Sequence, residues 1–202
     1  MINQAMKFLT DELNDYLGVQ ATTLSLPPQI KLSNVADADG KVVIPSNTLG
    51  ISLINVEEER VMKDQRTSGR ALNGDVEYFN PELRLNLYVL ISANFIGSSG
   101  GSNTITPEYE EGLKQLSYVI GFFQGKNVFT SDNSPALDAS IKKLIVELYS
   151  FSFEQQYNFW SVIGAKYMPS ALYRVRMLTY QEKRVTGVQV PIGTIDLSVN
   201  QL

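Results

Sequence analysis

Four constellations in the chain carry residue types that catalysis or ligand binding would need. Gly97-Ser98-Ser99-Gly100-Gly101 spells the G-x-S-x-G pattern of a nucleophilic serine, whose hydroxyl needs a histidine base to lose its proton. The chain contains no histidine, so this stretch, with Ser102, reads as a flexible glycine-serine linker. Gly121-Phe122-Phe123-Gln124-Gly125-Lys126-Asn127 resembles a phosphate-binding loop. It is one residue short between its glycines and has Asn where that loop needs Ser or Thr after the lysine, so it reads as the end of a helix. The run Glu57-Glu58-Glu59 has the oxygen ligands of a Ca²⁺ or Mg²⁺ site, but on a strand Glu57 and Glu59 face one way and Glu58 the other. No second group of carboxylates lies nearby in sequence, which leaves a sheet edge protected by charge or an acidic contact surface for another chain. Arg174 and Arg176 are two residues apart and share one strand face. They form a solvated face, an intrachain pair with Glu57 or Glu59, or a pairing between subunits.

Composition narrows the chemistry further. The absence of histidine and of cysteine rules out a Ser-His-Asp triad, a Cys-His pair, a His-ligated zinc, an iron–sulfur cluster and a thiol redox couple. A hydrolase built on carboxylates and tyrosine, using Glu58 or Tyr88, is the enzyme alternative that survives, and nothing else in the sequence favours it. No cofactor and no metal is expected. With 17 basic and 21 acidic residues the net charge is −4, which gives no surplus for holding phosphates, so nucleic acid is not an expected partner. The 202 residues, 44% of them hydrophobic, suit one domain with a peripheral arm. Lys7, Asp11, Glu12 and Asp15 interrupt the apolar residues of the first segment, which therefore lacks the core of a signal peptide. No apolar run is long enough to span a membrane.

The elements that must position these residues are legible from periodicity. Ile2, Ala5, Met6, Leu9, Leu13, Tyr16 and Leu17 make one stripe of a first helix, with Gly18 as its expected stop. Pro27-Pro28 and the turn Asp37-Ala38-Asp39-Gly40 bracket a short extended piece, followed by an expected strand over Lys41 to Ile44. Ile51 to Met62 is a longer strand, and Lys63 to Asp75 a loop or hairpin end. After Pro81, Leu85, Leu87, Val89, Ile91, Ala93 and Phe95 alternate with Arg84, Asn86, Tyr88, Leu90, Ser92 and Asn94, which places this strand near the centre of a sheet. Thr106-Pro107 opens a second helix with Tyr109, Leu113, Leu116, Ile120 and Phe123 as its expected buried stripe and Gly125 at its end. Ile141 to Phe151 is a strand, and Ser152 with Gln155 has the spacing of a capping box. The third helix then turns Phe153, Tyr157, Trp160 and Ile163 inward and closes at Gly164 or Pro169. Leu172 to Tyr180 is the last long strand.

These elements predict an α+β fold: a mixed, mostly antiparallel sheet packed with three helices over residues 1–184. Residues 185–202 form a β-prone arm in which Val188, Val190, Ile192, Ile195, Leu197 and Val199 accompany a single charged side chain, Asp196. Such a segment adds a strand to a neighbouring subunit or folds back on its own sheet.

Several segments, in order, resemble one family. They are Asn55-Val56-Glu57-Glu58-Glu59-Arg60, Leu85-Asn86-Leu87-Tyr88-Val89-Leu90, Val119 to Phe129, and Leu148 to Phe159 followed by Tyr167-Met168-Pro169-Ser170. The chain, over roughly residues 1–182, resembles the tail-terminator or cap proteins of extracellular contractile injection systems, phage-tail-like particles of the antifeeding-prophage type. The resemblance implies a structural and non-enzymatic role. It implies a ring, expected to be hexameric, that sits on the baseplate-distal end of the sheath and inner tube and ends their polymerisation. Its partners would be copies of itself and the sheath and tube subunits, with another ring or adaptor of the same particle as the alternative. The protein would be made in the cytoplasm and reside in a particle that is released or retained. Within such a ring, Glu57, Glu59, Arg174 and Arg176 and the apolar residues of the arm are the expected contacts.

Overall fold

The computed structural model describes residues 1–24, 27–59, 68–70, 75–78, 83–95, 107–179 and 187–189. In chain order its elements are α1 (Ile2–Val19), β1 (Ile30–Leu32), β2 (Thr48–Glu58), β3 (Ser68–Arg70), β4 (Val76–Tyr78), β5 (Arg84–Asn94), α2 (Pro107–Gly125), β6 (Val128–Thr130), β7 (Ile141–Tyr149), α3 (Phe153–Ile163), β8 (Ser170–Thr179) and β9 (Gly187–Gln189). The main sheet has the order β1-β2-β5-β8-β7-β6, and β3-β4-β9 form a second, small sheet. Every pair is antiparallel except β1 with β2. The expected α+β class with three helices therefore holds, and the alternating strand after Pro81 lies inside the main sheet, as β5.

Both faces of β5 are used. Leu87, Val89, Ile91 and Ala93 point into the principal core beneath α1 and α2, together with Leu144, Val146, Tyr173, Val175 and Met177 of the neighbouring strands. On α1 the stripe holds as expected, with Ala5, Met6, Leu9, Leu13 and Leu17 buried. Burying each such leucine contributes about 1.5–3 kcal/mol relative to exposure. Asn14 fixes the helix to the sheet edge, since its side chain exchanges two hydrogen bonds of 3.0 Å with the backbone of Ile30. Gly18 does not stop α1. The helix runs to Val19 and continues as a 3₁₀ turn over Gln20–Thr23, because the Gln20 N–H still finds carbonyls of the last helical turn.

The stripe expected on α2 holds at Leu116 and Phe123, which are buried, while its other three members are turned outward. Tyr109, Leu113 and Ile120 are 43%, 41% and 38% exposed, while Glu111, Gly112, Gln115, Leu116, Val119 and Phe123 are buried. At 100° per residue this is a rotation of about a quarter turn. Its cause is Gly112: a Cβ there would lie 2.8–2.9 Å from the Cδ2, Cγ and Cβ atoms of Phe95, so only glycine lets the helix approach the end of β5 this closely. Gly112→Ala is therefore expected to destabilise the protein by about 1–2 kcal/mol, because overpacking outweighs the helix propensity that alanine adds. An unchanged Tm would show that Phe95 yields freely.

The opposite face of the sheet carries a smaller cluster of Val35, Ile44, Leu90, Trp160, Met168 and Leu172. The strand expected at Lys41 to Ile44 is absent; a single bridge, Ala36 with Val42, forms instead. The Asp37 carboxylate accepts hydrogen bonds from the N–H groups of Asp39 and Lys41 at 3.0 and 2.8 Å. This holds the chain in a turn, at Gly40 with φ +77°, and sends Ile44 into the cluster. The capping box of α3 is formed: Gln155 N–H donates to Ser152 Oγ at 3.2 Å and Ser152 N–H to Gln155 Oε1 at 3.0 Å. Gly164 ends the helix in the left-handed conformation, φ +72°. Of the four residues expected inward, Trp160 is buried, Ile163 is half-buried and packs on the cluster, and Phe153 and Tyr157 are 90% and 74% exposed. The helix meets the sheet through its second half, so its first-turn aromatics project past the edge of the cluster.

Candidate interaction surface

The charged residues singled out by sequence converge on the half of this face that α3 leaves open. Register sets the arrangement: Tyr88 of β5 faces Asn55 of β2 and Arg174 of β8, and Arg174 faces Glu147 of β7. One step along, Asn86 faces Glu57 and Arg176. Arg174 Nη2 donates to Glu147 Oε2 at 2.8 Å, and Arg176 donates to Glu147 Oε1. Tyr88 OH donates to Glu57 Oε2 at 3.0 Å and Asn86 Nδ2 to Glu59 Oε2 at 3.1 Å.

Glu147 is the residue that sequence reasoning missed: the arginines do pair within the chain, but their hydrogen bonds go to Glu147, and Glu59 adds only a weaker attraction to Arg174. A signal existed: Glu147 is the only acid within Ile141–Tyr149, flanked by apolar residues on both sides. Cross-strand register alone reveals that both arginines lie opposite it. The hydrogen bond from Arg174 holds the Glu147 carboxyl below its ordinary value, the Arg176 bond acts in the same direction, and partial burial opposes both. The same bond to Glu147 raises Arg174. Burial, then the hydrogen bond to Glu57, pushes the Tyr88 phenol up, away from the range in which it would act as a base.

An unbroken run of rings leads from this ladder to the surface beside α3. Tyr88, Tyr149, Phe151, Phe159, Trp160 and Tyr167 follow one another with centroid separations of 5.4, 5.8, 5.4, 5.8 and 5.6 Å. It ends in an open groove of about 470 Å³ lined by Phe153, Tyr157, Trp160 and Tyr167. Aromatic pairs of this kind contribute about 0.5–1.5 kcal/mol each beyond their buried area.

The remaining sequence candidates separate. Val188 lies on β9, 56% exposed, where Gly187–Gln189 pairs with β4 of the same chain. Val190, Ile192, Ile195, Leu197 and Val199 lie outside the described residues, as does the motif at 97–101. The phosphate-loop look-alike is the last turn of α2 together with Lys126 and Asn127. There Lys126 pairs with Glu12 at 2.9 Å and sits 4.8 Å from the Phe129 ring centroid. Among the described residues no group of three or more His, Cys, Asp or Glu is placed to hold a metal ion, and no helix is long and apolar enough to cross a membrane.

A six-stranded mixed sheet with two helices on one face, one on the other and a small accessory sheet places the chain in the α+β class. The chain matches the Pvc16 N-terminal domain family over residues 4–194 and belongs to that family. Among solved structures it is similar to the PVC sheath/tube terminator of an extracellular contractile injection system in its extended state. That likeness has 14% identity and a TM-score of 0.62, covering 100% of this chain and 64% of that one. It is also similar to the anti-feeding prophage cap that terminates the tube, at 12% identity and a TM-score of 0.53, covering 93% of this chain and 60% of that one. The chain thus spans less than two thirds of either structure, and at these identities the likeness is one of fold. No curated protein matches it.

Proposed function

We propose that this protein is a structural terminator of a contractile injection system, a cap that ends tube and sheath polymerisation at the baseplate-distal end. The observation that carries this reading is the likeness of fold over 100% of the chain to a protein described as a sheath/tube terminator. The physical logic agrees. A helical tube or sheath grows through heterologous contacts that never close, and a terminator must offer one complementary face and withhold the next. In this reading six copies form a ring, and the partners are the last sheath and tube subunits of a particle that is released or retained. Glu57 and the small β3-β4-β9 sheet are surfaces available for those contacts, while Arg174 and Arg176 act through the side they do not turn to Glu147. No catalytic step is assigned.

Imaging tests the reading. Particles purified with a labelled copy of this chain should carry the label at one end only, with six-fold averages there. Particles assembled without the chain should have tubes and sheaths of uncontrolled length. Label scattered along the particle, or normal length in its absence, overturns the reading.

A further inference from the structure

Among the described residues the main sheet ends at β1 on one side and at β6 on the other. An outermost strand leaves the N–H and C=O of every second residue unpaired, which is a template for a further strand. On β6, Asn127 O accepts from Val146 N–H and Phe129 lies opposite Leu144, so Val128 and Thr130 turn their backbone groups outward. There they meet a side chain. Asn133 Oδ1 accepts from Thr130 N–H and Asn133 Nδ2 donates to Val128 O, both at 2.9 Å. Thr130 O takes the backbone N–H groups of Asn133 and Ser134 at 3.2 and 2.9 Å. The hydroxyl of Ser134, a residue only 2% exposed, donates to Asn133 Oδ1 at 3.0 Å and holds the amide in place. On β1, Gln29 O accepts from Leu49 N–H and Ser33 N–H donates to Ile51 O, so Ile30 and Leu32 turn outward. At Ile30 both groups that would bind a further strand are held by the Asn14 amide of α1. Leu32 remains, and a single residue is too short a run for a strand to add.

An asparagine amide suits this task because, like a peptide group, it carries an acceptor oxygen beside a donor nitrogen. At each edge one orientation fits, with the oxygen toward the N–H and the nitrogen toward the carbonyl. Two asparagines from unrelated segments, one on α1 and one in the turn after β6, thus stand where the peptide groups of an incoming strand would stand, at opposite ends of one sheet. We propose that Asn14 and Asn133 close the main sheet against strand addition, so that this chain meets its own copies and its partners through faces and not by extending this sheet. A sheet open at both ends would accept copy after copy through a contact that never closes. This deepens the terminator reading, which requires a surface withheld from further growth, and it rests on that reading only for what the closure serves.

Asn14→Leu and Asn133→Leu nearly keep the side-chain volume and remove both polar groups. Sedimentation velocity of the full chain compares the two single variants and the double variant with the parent and with Val175→Ala, which truncates a buried core residue while leaving both amides in place. Species larger than the parent's main form should appear in the double variant at roughly ten-fold lower concentration than in the parent, the factor that about one net hydrogen bond gained at a freed edge supplies. Val175→Ala should show no such change. Adding Val128→Lys, which places a charge on the β6 edge, should suppress the association caused by Asn133→Leu. The single variants, checked for folding by circular dichroism, carry the test if the double variant does not fold. An unchanged size distribution in folded variants, equal association by Val175→Ala, or no relief from Val128→Lys overturns the proposal. Such a failure together with correct placement at the particle end leaves the terminator reading standing, whereas association on opening the edges without end placement removes that reading and keeps the closure.

Discussion

Trp160→Ala is expected to cost about 3–5 kcal/mol of stability, the range for truncating a buried tryptophan, and to lower Tm by about 6–20 °C for a chain of this size. Trp160 is the only buried residue of α3. Its ring joins Phe159 at 5.8 Å to Tyr167 at 5.6 Å, and it packs in one cluster with Leu90 and Leu172 of the sheet. Removing it leaves α3 attached by half-buried contacts and by its capping box. The helix should therefore detach while α1, α2 and the principal core persist. Circular dichroism melts measure the effect; fluorescence does not serve, because this is the only tryptophan. A loss below about 1 kcal/mol would mean that the second cluster contributes little to folding.

The second large effect is expected from reversing Arg174 and Arg176 to glutamate together. Both arginines converge on Glu147, with side chains 38%, 30% and 31% exposed in that order. Each pair, discounted for solvent, is worth about 0.5–1 kcal/mol, and like charges across adjacent strands add repulsion of similar size. The double variant should lose about 2–4 kcal/mol as an isolated chain. Under the subunit-contact reading of the sequence the outcome would be loss of ring formation with the monomer intact; the Glu147 contact moves the first effect into the monomer itself. The dependence on pH separates the causes. In the parent chain the folded Glu147 carboxyl lies below its ordinary value of 4.5, so its contribution is full above that value and disappears as pH falls through the lowered one. Three crowded carboxylates have raised values instead, so the variant regains stability on acidification through the carboxylate range. The gap between the two proteins should narrow as pH falls. A gap that is constant with pH would sink the electrostatic account.

Much of the fold was legible because it depends on local pattern. The period-two alternation of Leu85 to Phe95, the stripe of α1 and the Ser152–Gln155 capping box are all carried by neighbours in sequence, and each forms where expected. The failures share a physical origin. Tyr109, Leu113 and Ile120 have the spacing of a core stripe, but helix rotation follows the close approach of Gly112 to Phe95, which lie on different elements. Phe153 and Tyr157 have the right period for burial, but α3 covers the sheet with its second half only. The strand expected at Lys41 to Ile44 lost to the hydrogen bonds of the Asp37 side chain.

Residue types by themselves determined which chemistry is closed to this chain: without histidine or cysteine it can build no Ser-His-Asp triad, His-ligated zinc, iron–sulfur cluster or thiol redox couple. The order of segments along the chain also carried the resemblance that the family match over residues 4–194 bears out. Only the tertiary structure decided which surfaces are spent inside the chain and which are left for others. Arg174 and Arg176 pair with Glu147 because β7 and β8 meet in one register, and Leu148 is left exposed at the rim of β7 because, among the described residues, β6 begins only at Val128, opposite Ile145. Both outcomes depend on contacts between segments far apart in sequence, where periodicity carries no information.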